Sequence, residues 1–124
     1  MKVLKTEEFM KMEILTPGKR SKEILTNEDD AKDLAGLFVV FEPGHENPYH
    51  YHERRESLFI IISGEAVGII EGEETYIKAG DVIYIPAGKK HQIVNRSDKE
   101  FKFLEFFTCP PLKSDWVEVN RTSH

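Results

Sequence analysis

Five histidines stand in this sequence: His45, His50, His52, His91 and His124. His50 and His52 are separated by one residue, in the run HYHERRESLFIIISG that spans residues 50–64. On a strand that spacing puts both rings on one face, with Cα atoms roughly 6.6 Å apart at about 3.3 Å per residue. Two imidazoles so placed can reach one metal ion, although a lone His-x-His pair is a weak signal. A second group with chemical potential is Glu105, set among aromatics in FKFLEFF on the same strand parity as Phe101, Phe103 and Phe107. Facing inward, it would be a carboxyl in an apolar cup, with a raised pKa suited to proton transfer. Facing outward, it would be an ordinary surface acid opposite a lysine, and the outward or edge placement is the expected one. The only cysteine, Cys109, is expected to be a buried, inert thiol, since nothing beside it would depress its pKa.

The elements that must carry these groups are short apolar runs cut by turn residues. LFVVF (37–41), SLFIII (57–62), AVGII (66–70), TYI (75–77), VIYI (82–85), HQIV (91–94) and FKFLEFF (101–107) each stop at Gly, Pro, Asn or charged residues. Their Ile, Val, Phe and Tyr content and their length are those of strands. Seven or eight strands recurring about every ten residues predict an antiparallel sandwich or barrel. No long helical pattern alternates with them, which argues against a parallel α/β sheet. Residues 1–35 are expected to be an N-terminal extension, as an edge strand or loop, with a helical turn or loop at Glu28 to Asp33. Residues 36–108 form the barrel. Residues 109–124 are a polar tail expected to lie over the surface, pinned by Trp116.

Composition narrows the class. The chain has 124 residues, 40% hydrophobic and 31% charged, which suits one globular domain with a single core. The net charge of −5, with no basic stripe, argues against a nucleic-acid partner. The longest apolar run, Leu58 to Ile62, is far too short to span a bilayer, so no membrane partner is expected. The N-terminal run lacks a secretory apolar region, and one cysteine cannot form an internal disulfide; both point to the cytoplasm.

The motifs resemble those of the cupin family. The stretch GDVIYIPAGKKHQIVN matches the second cupin motif at every fixed position, through Gly80, Pro86, Gly88, His91 and Asn95. GHENPYHYH, with Gly44, His50 and His52, matches most of the first, and Gly64 closes it. Fifteen residues (65–79) separate the two motifs. The resemblance implies an all-β fold, an antiparallel double-stranded β-helix or jelly-roll barrel. It implies one divalent transition metal per chain (Fe, Mn, Ni, Zn or Cu) on His50, His52 and His91 with a glutamate. It also implies a homodimer. The glutamate is displaced. Glu56 follows His52 at an acceptable spacing but leaves seven residues before Gly64, whereas Ser57 satisfies both spacings with the wrong chemistry. A one-residue slip on a strand reverses the face of a side chain. Either Glu56 is the fourth ligand, with a bulge near Ser63-Gly64 absorbing the extra residue, or Ser57 fills that slot and the site is three histidines. A third reading is that no metal binds and the histidines line an apolar cup.

Of the remaining candidates, His45 is expected at a solvated rim and His124 free at the terminus. Arg54 and Arg55 are expected to be a solvated pair. Tyr49 and Tyr51, by alternation, face away from the metal. The functional expectation is a metal-dependent enzyme acting on a small molecule inside the barrel, with dioxygenase, isomerase and lyase chemistries all found among similar cupins. The alternative is a non-catalytic barrel that binds a small molecule such as a sugar or carboxylate. A sensor domain lacking its DNA-binding partner is a minor third reading.

Overall fold

Alternation decides how the strands close. In β4 (Ser57–Ser63), Ser57, Phe59 and Ile61 are buried on one face while Leu58 is exposed on the other. The same period-2 pattern puts Leu37, Val39 and Phe41 of β2 (Leu34–Phe41) beside Phe101, Phe103 and Phe107 of β9 (Phe101–Thr108). The computed structural model describes residues 1–13, 20–111 and 114–120. It contains two five-stranded antiparallel sheets. The first runs in the order β1 (Ser21–Leu25), β2, β9, β4 and β7 (Val82–Ile85). The second runs β10 (Val117–Glu118), β3 (His50–Tyr51), β8 (His91–Val94), β5 (Glu65–Ile70) and β6 (Glu73–Lys78). The antiparallel double-stranded barrel expected from the sequence is the observed fold.

The main core lies between the sheets. Leu37, Val39, Phe41, Phe59, Phe101 and Phe103 face Ala66, Ile77 and Ile93 across it. Each fully buried Phe or Ile stabilises the fold by about 1.5–3 kcal/mol. A second apolar cluster lies on the outer face of the first sheet. Phe38, Val40, Ile62 and Leu104 are capped there by Phe9 of the one-and-a-half-turn helix α1 (Thr6–Met10), whose ring centroid is 5.3 Å from that of Phe38. Lys102 anchors this cover, its Nζ donating to the carbonyls of Met10 and Met12 at 2.9 and 3.1 Å. This explains why β2 and β9 are apolar on both faces: one face meets the other sheet, and the other meets the N-terminal segment.

The motif residues do structural work as well. Gly64 turns the chain from β4 into β5 at φ +85°, and a Cβ there would lie 2.4 Å from the Glu100 carbonyl oxygen, so only glycine fits. Asn95 is fully buried at the end of β8. Its amide nitrogen donates to the carbonyls of Phe41, Glu42 and Lys99, joining the two sheets at one end of the barrel.

Residues 27–29 form a single 3-10 turn, with Thr26 and Asp29 making a reciprocal capping box. Three strands were not among the apolar runs: β1, the two-residue β3 and the two-residue β10. Ser21–Leu25 pairs with β2 of its own chain as an edge strand. Among the described residues no helix is long and apolar enough to cross a membrane.

Candidate metal centre

Two short strands bring the histidines together. His50 on β3 and His91 on β8 are directly opposed in the antiparallel register. His52 follows two residues on, held by the Gly88 N–H donating to its carbonyl at 2.7 Å. Ring centroids of His50 and His91 are 4.2 Å apart, of His50 and His52 4.9 Å, and of His52 and His91 5.4 Å. One nitrogen from each ring lies within 4.8 Å of the other two, and all three residues are buried.

The outer nitrogens determine which atoms face inward. Each Nδ1 lies against a backbone carbonyl: His50 on Pro48 at 2.6 Å, His52 on Asp115 at 2.6 Å, His91 on Lys89 at 2.9 Å. A carbonyl oxygen only accepts, so each Nδ1 carries the proton and donates. That leaves three Nε2 lone pairs, none of which has a hydrogen-bond partner among the described residues. Burial, reinforced by the neighbouring His91, pushes the pKa of His50 down to about 3. Burial likewise takes His91 down to about 4 and lowers His52. All three are therefore neutral at pH 7, the state in which imidazole binds a metal. Three neutral imidazoles with fixed tautomers fit a divalent transition metal, and the carbonyls on Nδ1 are the partners that orient such ligands.

The two carboxylate-slot candidates point opposite ways. Ser57 is 2% exposed and faces inward, paired across the sheet with Phe107 and Ile85. Its Oγ has no hydrogen-bond partner. Glu56 is exposed and its carboxylate accepts from the Tyr84 hydroxyl. A register irregularity does occur in β4, but between Ile61 and Ser63. It lies beyond Phe59 and Ile61, so it leaves Ser57 in phase with the core and Glu56 out of phase. The structure thus brings His50, His52 and His91 together and does not bring Glu56 to them.

Glu105 faces inward, against the expectation of an outward or edge position. It shares a cavity of about 160 Å³ with His50, His91, His45, Phe59 and Trp116. The cavity gives its side chain partial access, yet protein surrounds it. Burial raises its pKa to about 7, opposed by the Arg55 guanidinium. A larger cleft of about 440 Å³ lies beside the β1–β2 connection, lined by Leu25, Lys32 and Pro110, and includes none of the histidines. His45, expected at a solvated rim, is half-buried on the cavity wall. It makes an edge-on contact with Phe41 at 4.6 Å, and burial lowers its pKa. Cys109 is half-buried rather than enclosed, and His124 lies outside the described residues.

Arg54 is exposed, but Arg55 is only 1% exposed, which corrects the expectation of a solvated pair. Its guanidinium donates to the carbonyls of Pro111 and Ser114 at 2.8 and 2.9 Å and lies 4.3 Å above the Phe107 ring. The partners come from nearly 60 residues downstream, beyond anything the local composition could signal. Trp116 does pin the tail, but it does so over the site itself, stacking on His50 at 3.8 Å and 8° between planes.

The cupin domain family matches residues 37–107, more than half of the chain, and the chain belongs to that family. Among solved structures, the fold is similar to that of a double-stranded β-helix protein from Klebsiella pneumoniae. The identity is 21%, over 98% of this chain and 99% of that one, with a TM-score of 0.72. It is similar to the polyketide cyclase RemF from Streptomyces resistomycificus at 22% identity, over 97% and 86% of the two chains, with a TM-score of 0.73. A predicted oxalate decarboxylase from Thermotoga maritima is similar at 26% identity over 73% and 79%, with a TM-score of 0.68. No curated protein matches the sequence.

Proposed function

We propose that this cupin is a metal-dependent enzyme in which His50, His52 and His91 hold one divalent transition metal and Glu105 moves a proton on a small substrate in the adjoining cavity. The observation that carries this reading is the set of three neutral imidazoles, each with Nδ1–H fixed on a carbonyl and Nε2 free. When bound, the ion supplies Lewis acidity to a substrate oxygen. Phe59 and Phe103 exclude water from the cavity wall. Glu105, with a pKa near 7, is matched to accept and return a proton at neutral pH. That favours isomerase or lyase chemistry. Ser57 in the slot where the family carries a glutamate supports the second reading, a metal-holding barrel that binds a small sugar or carboxylate without turnover. The homodimer expectation is supported by exposed Leu58, Val82 and Tyr84 on β4 and β7, and light scattering gives the mass that tests it.

The first experiment is metal content per chain by mass spectrometry on untagged protein. About one transition metal per chain is expected in the wild type and in Glu56→Ala, with loss in His91→Ala. Loss in Glu56→Ala would restore a four-ligand site, and no metal in the loaded wild type would leave only a ligand-binding cup. Enzyme and binder separate in deuterated water. Solvent deuterium enters hydroxy-keto compounds only if protons are exchanged, whereas thermal stabilisation by ligand without exchange indicates a binder.

A further inference from the structure

The three histidines are not held alike. His50 and His91 each donate to a carbonyl two residues earlier, in the loop that leads into their own strand. His52 donates to Asp115, 63 residues away in the C-terminal segment. The same Asp115 uses its carboxylate to accept from the backbone N–H groups of Glu53, Arg54 and Arg55 at 2.7, 2.7 and 3.0 Å. Those are the three residues directly after His52. Its neighbour Trp116 stacks on His50 and meets His52 edge-on at 5.4 Å between centroids. Beyond it, β10 pairs with β3 itself, placing Val117 and Glu118 opposite Tyr51 and His50.

We infer that Asp115 and Trp116 are positioning residues of the metal centre: the C-terminal segment supplies the outer partner that fixes the His52 tautomer and the ring plane of His50. The inference rests on the three-histidine metal reading. Asp115 works at two points. Its carboxylate holds the turn after His52, and its carbonyl takes the Nδ1 proton, so that Nε2 keeps its lone pair for a metal. Partners of this kind raise ligand basicity and fix ring orientation. Releasing the segment lets His52 adopt the other tautomer, in which Nε2 is protonated and cannot bind, while His50 and His91 keep their local carbonyls. The segment is therefore part of the site rather than a surface tail.

Cobalt(II) titration of the untagged protein tests this, read by ligand-field absorption and by fluorescence of Trp116, the only tryptophan. Wild type is expected to bind Co(II) with quenching of Trp116. Asp115→Ala is expected to bind about 10–100-fold more weakly with an altered absorption band. Asp115→Asn keeps one acceptor oxygen and is expected to fall between the two. Asp115→Ala keeps the backbone carbonyl but loses the carboxylate that anchors it to the 53–55 turn. Nitrogen-15 spectra of metal-free Asp115→Ala are expected to show mixed tautomers at His52 alone, as the freed segment draws that carbonyl away. Trp116→Phe, which keeps a ring over His50, retains affinity better than Trp116→Ala and serves if Asp115→Ala does not fold. A folded Asp115→Ala with wild-type affinity, band and His52 tautomer overturns the positioning role. Co(II) binding absent from wild type, or unchanged in His91→Ala, overturns the metal reading and this inference with it.

Discussion

Phe103→Ala lowers the free energy of unfolding by about 3–5 kcal/mol, the usual loss for a buried phenylalanine whose cavity cannot collapse. Phe103 is 2% exposed, and its ring centroid is 5.6 Å from Phe41, 5.2 Å from Phe59 and 5.5 Å from Phe101. These four rings come from three strands, β2, β4 and β9, so none can move in without breaking a ladder. Domains of this size are stable by only about 5–15 kcal/mol. The variant is therefore expected to lose about a fifth of its stability or more, seen as a lower urea midpoint at unchanged slope. Glu73→Ala, at the exposed start of β6 and away from the Leu58, Val82 and Tyr84 patch, is the control and shifts stability by at most about 0.5 kcal/mol. A loss below about 1 kcal/mol in Phe103→Ala would mean that the rings repack.

Relative to Glu105→Gln, metal-stripped wild type loses stability as pH rises from about 4.5 to about 7, while in both proteins the buried neutral histidines add stability over the same rise. The folded carboxyl has its pKa raised to about 7 from an ordinary 4.5, first by burial and against the pull of Arg55. Between those values the folded state holds a proton that the unfolded chain has released. The Glu105 contribution to stability therefore falls with pH until the folded group also ionises, and the difference from Glu105→Gln isolates it from the opposite contribution of the buried histidines. At 1.36 kcal/mol per pH unit, the cost above pH 7 is at most about 3 kcal/mol, less whatever solvent in the cavity screens. Glutamine removes the charge and keeps the volume, so the variant is expected to be more stable than wild type at pH 8 and similar near pH 4. Under the proton-transfer reading, the same variant loses about 10²–10⁴-fold in exchange of substrate protons with solvent. Stability curves for the two proteins that stay parallel from pH 4 to pH 8 would place the Glu105 carboxyl in water.

Much of the barrel was legible because its strands are short, β-branched and cut by turns. VIYI and HQIV coincide with β7 and β8, residue for residue. His50 and His52 were legible as a pair from a period of two, and the resemblance to the cupin motifs added His91. Glu56 and Ser57 were not separable by counting, since two spacing rules disagreed by one residue. The location of the β4 irregularity after Ile61 decides the parity, and nothing in the composition marks it. Glu105 was placed on the correct parity but the wrong face. Both faces of β9 are apolar because α1 covers the outer one, so hydrophobicity could not tell inside from outside. Arg55 and Asp115 were missed for a related reason. Their partners are about 60 residues away, and a charged turn reads the same whether or not a distant segment closes over it.

That distance has a consequence for how the site is built. Residues 50–52 precede Asp115 by 63 residues or more in the chain. The His50–His91 register is a β3–β8 pairing, whereas the acceptor for His52 comes from the segment that leads into β10. The turn after His52 takes its carboxylate from the same segment. His50 and His91 thus take their orientation from local carbonyls, whereas His52 takes its own from Asp115, so the third ring is set only once β10 lies on β3.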